Sequence, residues 1–240
     1  MCGRYATTRS ADELSTLFDA ALAEMARERF GVSYNVAPTD GVPIVRVSHR
    51  DKENPRRVLD VVRWGLVPGW AKDLKTGAKF INARADSLTS KPAFRTAYAR
   101  RRALVPADGW YEWKPRDHQT GKQAYYMTPA DGSVLAFAGL WEVWGSGDDR
   151  VLSCSVVTTD ALGELAGVHD RMPLILTPDR WSDWLASAAA DPELLTPPPA
   201  KFLEAIEIRP VSAAVGNVRN NFPELRDETP EEPEQLTLGM

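Results

Sequence analysis

The chain has 240 residues, 43% of them hydrophobic and 26% charged, with a formal net charge of −4; it is long enough to bury a sizeable core. Cys2 and Cys154 are its only cysteines, which excludes a disulfide scaffold, and with no CxxC pair or HExxH neither a metal site nor a cofactor is expected. The longest apolar runs, such as SVLAFAGLW, are shorter than the ~20 residues a membrane span needs, and no signal-peptide order opens the chain, so a cytoplasmic protein is expected, nucleoid-associated when it holds DNA.

Along the chain, Ser10 and Glu13 form a capping-box signature, and Leu14, Leu17, Phe18, Ala21 and Met25 recur at helical spacing, predicting one helix over 9–30. SYNVAPTDGVPIVRV (33–47) turns at its Pro and Gly into an apolar strand, and RRVLDVVRWGLVP (56–68) is the next. Residues 69–88 read as loop with a short strand at KFINA (79–83). KPAFRTAYARRR (91–102) holds five positive charges and no acid; it predicts a helix with Phe94, Ala97 and Tyr98 inward. RALVPADGWYEWK (102–114) is strand again. QAYYMTP and SVLAFAGLWEVW flank an Ala-Asp-Gly turn and predict a hairpin. VLSCSVVTTDA (151–161) is a strand, TPDRWSDWLAS (177–187) a helix capped at Thr177, TPPPA (196–200) a surface linker, and IEIRPVSAAVG (206–216) a last strand and turn.

About seven strands and three or four helices, without repeats or regular βαβ alternation, predict an α+β fold: a single domain with a folded or barrel-like, mixed or antiparallel sheet. The domain is expected over 2–223. Residues 224–240 hold six acids and one base, leaving 1–223 near +1, and are expected to be a disordered acidic tail. Patches govern polyanion binding more than totals do, so this balance permits a nucleic-acid partner without demanding one.

The chemistry starts at Cys2. Removal of Met1 would leave an α-amine with a pKa of about 7.7–8.0 beside a thiol of about 8.5, both usable nucleophiles near neutrality. Together they trap an aldehyde, the amine as an imine and the thiol by closing a five-membered thiazolidine. The plainer reading is an incidental terminal cysteine. Asn82 and Arg84, two apart on a strand, face one side, as an amide and a cation toward a ligand or as a polar surface strand. Glu112 lies among Trp110, Tyr111 and Trp113, where apolar surroundings would raise a carboxyl toward general-acid use; an exposed glutamate is the alternative. His169, in VHDRMP, is one of three histidines, catalytic or structural.

Taken together, MCGRY, YNVAPT, WGLVPGWAKD, FINARADS, FRTAYARRRALVPADGWYEWK, VVTTDA, VHDRMPLIL and RPVSAAVGNVRN resemble, in order, the SOS-response-associated peptidase (SRAP) family of abasic-site processing proteins. The resemblance implies a sensor of abasic sites in single-stranded DNA. Its autopeptidase step removes Met1, and its lyase-like chemistry joins Cys2 to the ring-opened deoxyribose as a thiazolidine. It implies Cys2 as nucleophile, Asn82 as positioning amide, Glu112 as proton carrier and His169 as helper at the sugar hydroxyl. Arg4, Arg84 and Arg171 match phosphate-contacting arginines, and Asn35, Pro38 and Trp70 fall in DNA-facing loops. Of the tryptophans at 64, 70, 110 and 113, Trp70 is the expected stacking surface. Two positions depart from the family's commoner residues: Asp86 stands for Glu and Tyr5 for Phe, and Tyr5 brings a hydroxyl that needs a partner if buried.

The alternative is an amidohydrolase of the class II glutamine amidotransferase type, which also begins Met-Cys-Gly and attacks with a terminal cysteine. A protease acting on other proteins and a non-enzymatic DNA-binding module are further readings. A monomer is expected, with no membrane partner. QLTLGM at the chain end resembles a sliding-clamp peptide without its anchoring Phe, giving Gln235, Leu236 and Leu238 as a possible docking segment.

Overall fold

The computed structural model describes the whole chain except Met1, Met25 and residues 49–52, 117–120, 187–190 and 231–240. Strand β1 (Arg4–Thr7) leads into helix α1 (Ala11–Leu17). Ser10 Oγ accepts the Glu13 N–H at 3.2 Å and the Glu13 carboxylate accepts the Ser10 N–H at 2.8 Å, so both bonds of the capping box are made. The single helix expected over 9–30 is not formed. Asp19 turns the chain at φ +48°, Ala21–Leu22 (β2) joins a sheet, and α2 (Ala26–Arg29) follows. Helical spacing lost to sheet pairing here: β2 runs parallel to Val58 and Leu59, while Leu17 stays 48% exposed.

The remaining strands are β3 (Ser33–Val36), β4 (Gly41–Ser48), β5 (Arg56–Trp64), β6 (Asn82–Arg84), β7 (Arg102–Ala107), β8 (Gly109–Pro115), β9 (Lys122–Pro129), β10 (Leu135–Trp144), β11 (Val151–Asp160), β12 (Arg171–Pro173) and β13 (Ile206–Val211). Neighbours β5, β4, β7, β10 and β11 form a barrel, closed where β11 pairs back onto β5 at Ser153–Arg63 and Cys154–Trp64. β2, β6 and β12 extend this mixed sheet at its margins. A second, antiparallel sheet runs β13-β9-β8-β1-β3. The α+β class and the barrel-like sheet stand, with more strands than the seven expected because several are only two to four residues long.

Three expectations need correction. The Ala-Asp-Gly turn does not make a hairpin: β9 pairs with β8 and β13, whereas β10 pairs with β7 and β11. Every residue of LAFAGL in β10 is buried, so the strand takes a barrel position covered on both faces, and the turn carries the chain between sheets. β7 and β8, expected as one strand, part at Asp108 for the same reason. Thr177 heads a 3₁₀ turn without a side-chain cap, and the helix itself is α4 (Trp181–Leu185).

Helix α3 (Arg95–Arg100) buries Ala97 and Tyr98 as expected, and α5 (Ala200–Glu204) follows the TPPPA segment. The packed chain continues past 223. Leu225 is fully buried, Glu228 bridges to Val211, and the Thr229 N–H donates to Pro210 O at 2.8 Å. The Gln235–Leu238 segment lies outside the described residues. Among the described residues no helix is long and apolar enough to cross a membrane. One hydrophobic core fills the seam between the sheets, joining Tyr5, Trp110 and Met127 to Ile44, Trp64 and Phe137. Cys2 is part of it.

Candidate active site

β1 is held between β8 and β3, with Arg4 opposite Tyr111 and Tyr5 opposite Trp110. Continuing that ladder brings Gly3 level with Glu112 and draws Cys2 into the seam, where it is fully buried. The Cys2 thiol lies 3.9 Å from Arg4 O. Burial pushes the thiol well above its ordinary range, and the charge of Glu112 pushes it further. With Met1 in place, this shift keeps the thiol protonated at neutral pH.

The barrel side supplies Asn82. It opens β6, which pairs in parallel with β11 at Val156, Val157 and Thr158. Ala83 points into the core, leaving Asn82 and Arg84 on the opposite side. Asn82 Nδ2 donates to the Cys2 carbonyl at 2.7 Å. Its Oδ1 is buried and has no hydrogen-bond donor among the described residues. A buried amide oxygen left open is costly, and this one is an acceptor on the residue that bonds Cys2.

Glu112 sits in β8 opposite Tyr125 and is 2% exposed. Burial raises its carboxyl to about 7, with a smaller contribution from the charge of Asp170. At neutral pH it is thus close to half protonated, the condition under which one group serves as both acid and base. His169 follows a 3₁₀ turn (Gly163–Gly167), its N–H on Leu165 O at 3.2 Å. Its Nδ1 accepts the Arg171 N–H at 2.9 Å and lies 2.8 Å from Asp170 Oδ1. Burial lowers its pKa despite Asp170, which favours the neutral ring at pH 7.

The proposed phosphate arginines divide. Arg84 is opposite Thr158, and Arg171 is opposite Asp160, so the end of β11 gathers both. Arg84 is exposed and paired with Asp86, Nη2 to Oδ2 at 2.6 Å and Nε to Oδ1 at 3.2 Å. Arg171 is 8% exposed and bonded to Asp160 and to Thr158 O. Arg4 is turned inward, donating to Asn35 Oδ1 and Val215 O, each at 2.9 Å. Asn35 is 3% exposed, and its Nδ2 lies within bonding distance of the carbonyls of Val215, Asn217 and Asn220. This arrangement fastens the 214–220 segment onto β1 and β3. Sequence reasoning passed over that fastening, since its acceptors are main-chain carbonyls, which leave no residue signature.

Trp70 is 62% exposed, whereas Trp64 and Trp110 are core residues. Its loop is drawn tight at the base. A Cβ on Gly77 would come within 2.4 Å of the Gly65 carbonyl, and Gly65 itself sits at φ +115°, so only glycine suits either position. Pro38 is half-buried in the turn before β4. Among the described residues no cluster of three or more acids, histidines or cysteines could hold a metal.

A barrel joined to a five-stranded sheet, with the cysteine at position 2 buried in the seam between them, defines a class of protein. The family model for SOS response associated peptidase (SRAP) matches residues 1–218, and the chain belongs to that family. The abasic site processing protein YoqW of Bacillus subtilis (strain 168) is 38% identical over 232 residues, covering 94% of this chain and 98% of its own. The abasic site processing protein HMCES of Xenopus tropicalis is 30% identical, covering 93% and 77%. A crystal structure of a protein from Bacteroides thetaiotaomicron shares the fold with a TM-score of 0.79 at 22% identity, over 95% of this chain and all of that one.

Proposed function

We propose that this protein processes abasic sites in single-stranded DNA by forming a covalent thiazolidine between Cys2 and the ring-opened deoxyribose. The observation that carries this reading is the Asn82–Cys2 bond beside a buried Glu112. The names of relatives alignable over nearly the whole chain support it.

Hydrolysis of the Met1–Cys2 peptide bond frees the Cys2 amine. The amine adds to the aldehyde carbon, with Asn82 Oδ1 accepting one of its protons' hydrogen bonds. Glu112 donates a proton to the departing hydroxyl, which leaves as water, and takes back the proton that the nitrogen loses as the imine forms. The neutral thiol then adds to the imine carbon, its proton passing to the imine nitrogen as the C–S bond closes the ring. Sulfur attacks late, so a protonated resting thiol is compatible with this order. Neutral His169 assists at the sugar hydroxyl. Arg84 and Arg171 face the backbone phosphates, and Trp70 stacks a neighbouring base.

A denaturing gel after incubation with an oligonucleotide carrying one abasic site tests this reading. Wild type gives a heat-resistant shift on that strand and none on intact DNA, and intact mass shows Met1 absent from the crosslinked protein. Cys2→Ala gives no shift, and Glu112→Gln slows its formation by about 10²-fold or more. A shift in Cys2→Ala, or Met1 retained in crosslinked material, would sink the reading; no shift together with glutamine hydrolysis would favour an amidohydrolase.

A further inference from the structure

We propose that Asp86 is a built-in competitor for DNA phosphate, holding the Arg84 guanidinium in an ion pair that an incoming strand must displace. The inference rests on the reading of Arg84 as a phosphate contact. Two parallel contacts, Nη2–Oδ2 and Nε–Oδ1, cover one edge of the guanidinium. That edge is the one a phosphate would take by the same two-point geometry. The pair is open to a strand: the two side chains keep 53% and 57% of their surface exposed.

The surroundings reinforce the effect. Arg84 feels Asp160 and Asp170 as well as Asp86, and Arg171 is already bonded to Asp160. Around the end of β11, then, two arginines meet three aspartates. Bare cations would hold any single strand by counterion release, without regard to a lesion. Compensated cations hold intact DNA weakly and leave retention to the covalent bond at Cys2. Asp86 thereby sets selectivity for the lesion without touching the reacting atoms.

The test uses the full chain carrying Cys2→Ala, which separates binding from crosslinking, with an intact labelled oligonucleotide followed by anisotropy between about 50 and 200 mM salt. Asp86→Asn is expected to bind about two- to fivefold tighter at low salt, the range an exposed ion pair supports. Its log K against log salt should steepen by about 0.7, one more phosphate neutralised on a single strand. Asp86→Glu should keep the wild-type affinity, because the longer carboxylate still pairs. Unchanged or weaker binding by Asp86→Asn, at unchanged melting temperature, overturns the proposal. Arg84→Ala is the control for the underlying reading: it should weaken binding and abolish the effect of Asp86→Asn. If Arg84→Ala alone leaves affinity and salt slope untouched, the phosphate role of Arg84 fails and this inference falls with it.

Discussion

Glu112 ties the stability of the fold to its chemistry. A glutamate in an unfolded chain titrates near 4.3, whereas burial holds this one at about 7 in the fold. Raising the folded value means that the group is harmless below pH 4 and costs stability as pH rises toward 7, after which the cost stays constant. The cost is on the order of 3 kcal/mol. Glu112→Gln should therefore melt higher than wild type at pH 8.5 and level with it at pH 4, measured by thermal denaturation; equal melting at both would show that the carboxylate is not strained by burial. The same ionisation removes the proton donor, so wild-type crosslinking should slow above pH 7 and the Gln variant should lose that alkaline limb. Tyr5 behaves differently: its hydroxyl is buried and without a hydrogen-bond partner among the described residues. Tyr5→Phe should raise stability by about 1 kcal/mol. A drop in melting temperature would mean that the hydroxyl has a partner after all.

Between elements, residues 214–220 are fastened onto β3 and onto β1, the strand that Cys2 leads into. Arg4 is two residues from Cys2, and its guanidinium is fixed by Asn35 and Val215 O. Asn35→Ala removes the side-chain acceptor of Arg4 and the buried amide that donates to the 215–220 carbonyls, which should cost about 1–3 kcal/mol and slow crosslinking through displacement of β1. Weakened DNA binding at unchanged melting temperature would instead restore Asn35 as a direct DNA contact. This packing was not legible in the sequence. Asn35 and Arg4 match positions that the resemblance makes DNA-facing, but burial depends on which segments come over them, and Val215 is 180 residues from Asn35 and 211 from Arg4. Strand alternation and aromatic neighbours are local signals, so the side that Asn82 faces and the apolar setting of Glu112 were legible; the roles of Cys2, Asn82 and Glu112 belong to the proposal. The hairpin at Ala-Asp-Gly failed for the converse reason: a local turn cannot say whether its two strands share a sheet.

At the scale of the molecule, the acidic composition of the last residues suggested that the folded unit ends at 223. Composition tracks average hydrophobicity, and a single anchor in an acidic stretch escapes it. Leu225 is that anchor, fully buried with Ala6, Tyr111, Val211 and Val215. Arg226 lies over the Tyr34 ring at 4.8 Å, and the segment goes on to bridge β13 through Glu228 and Thr229. β13 and β3 are the two edges of the five-stranded sheet, so residues 224–229 reinforce both margins of the sheet that carries β1 and Glu112. Burying one leucine is worth about 1.5–3 kcal/mol, before the bridge and the cation–π contact are added. A chain ending at 223 should therefore melt several degrees lower than one ending at 230 and crosslink abasic DNA more slowly, compared by thermal denaturation and the denaturing gel. Equal melting and equal crosslinking would return the boundary to 223 and leave Leu225 a passenger on the fold.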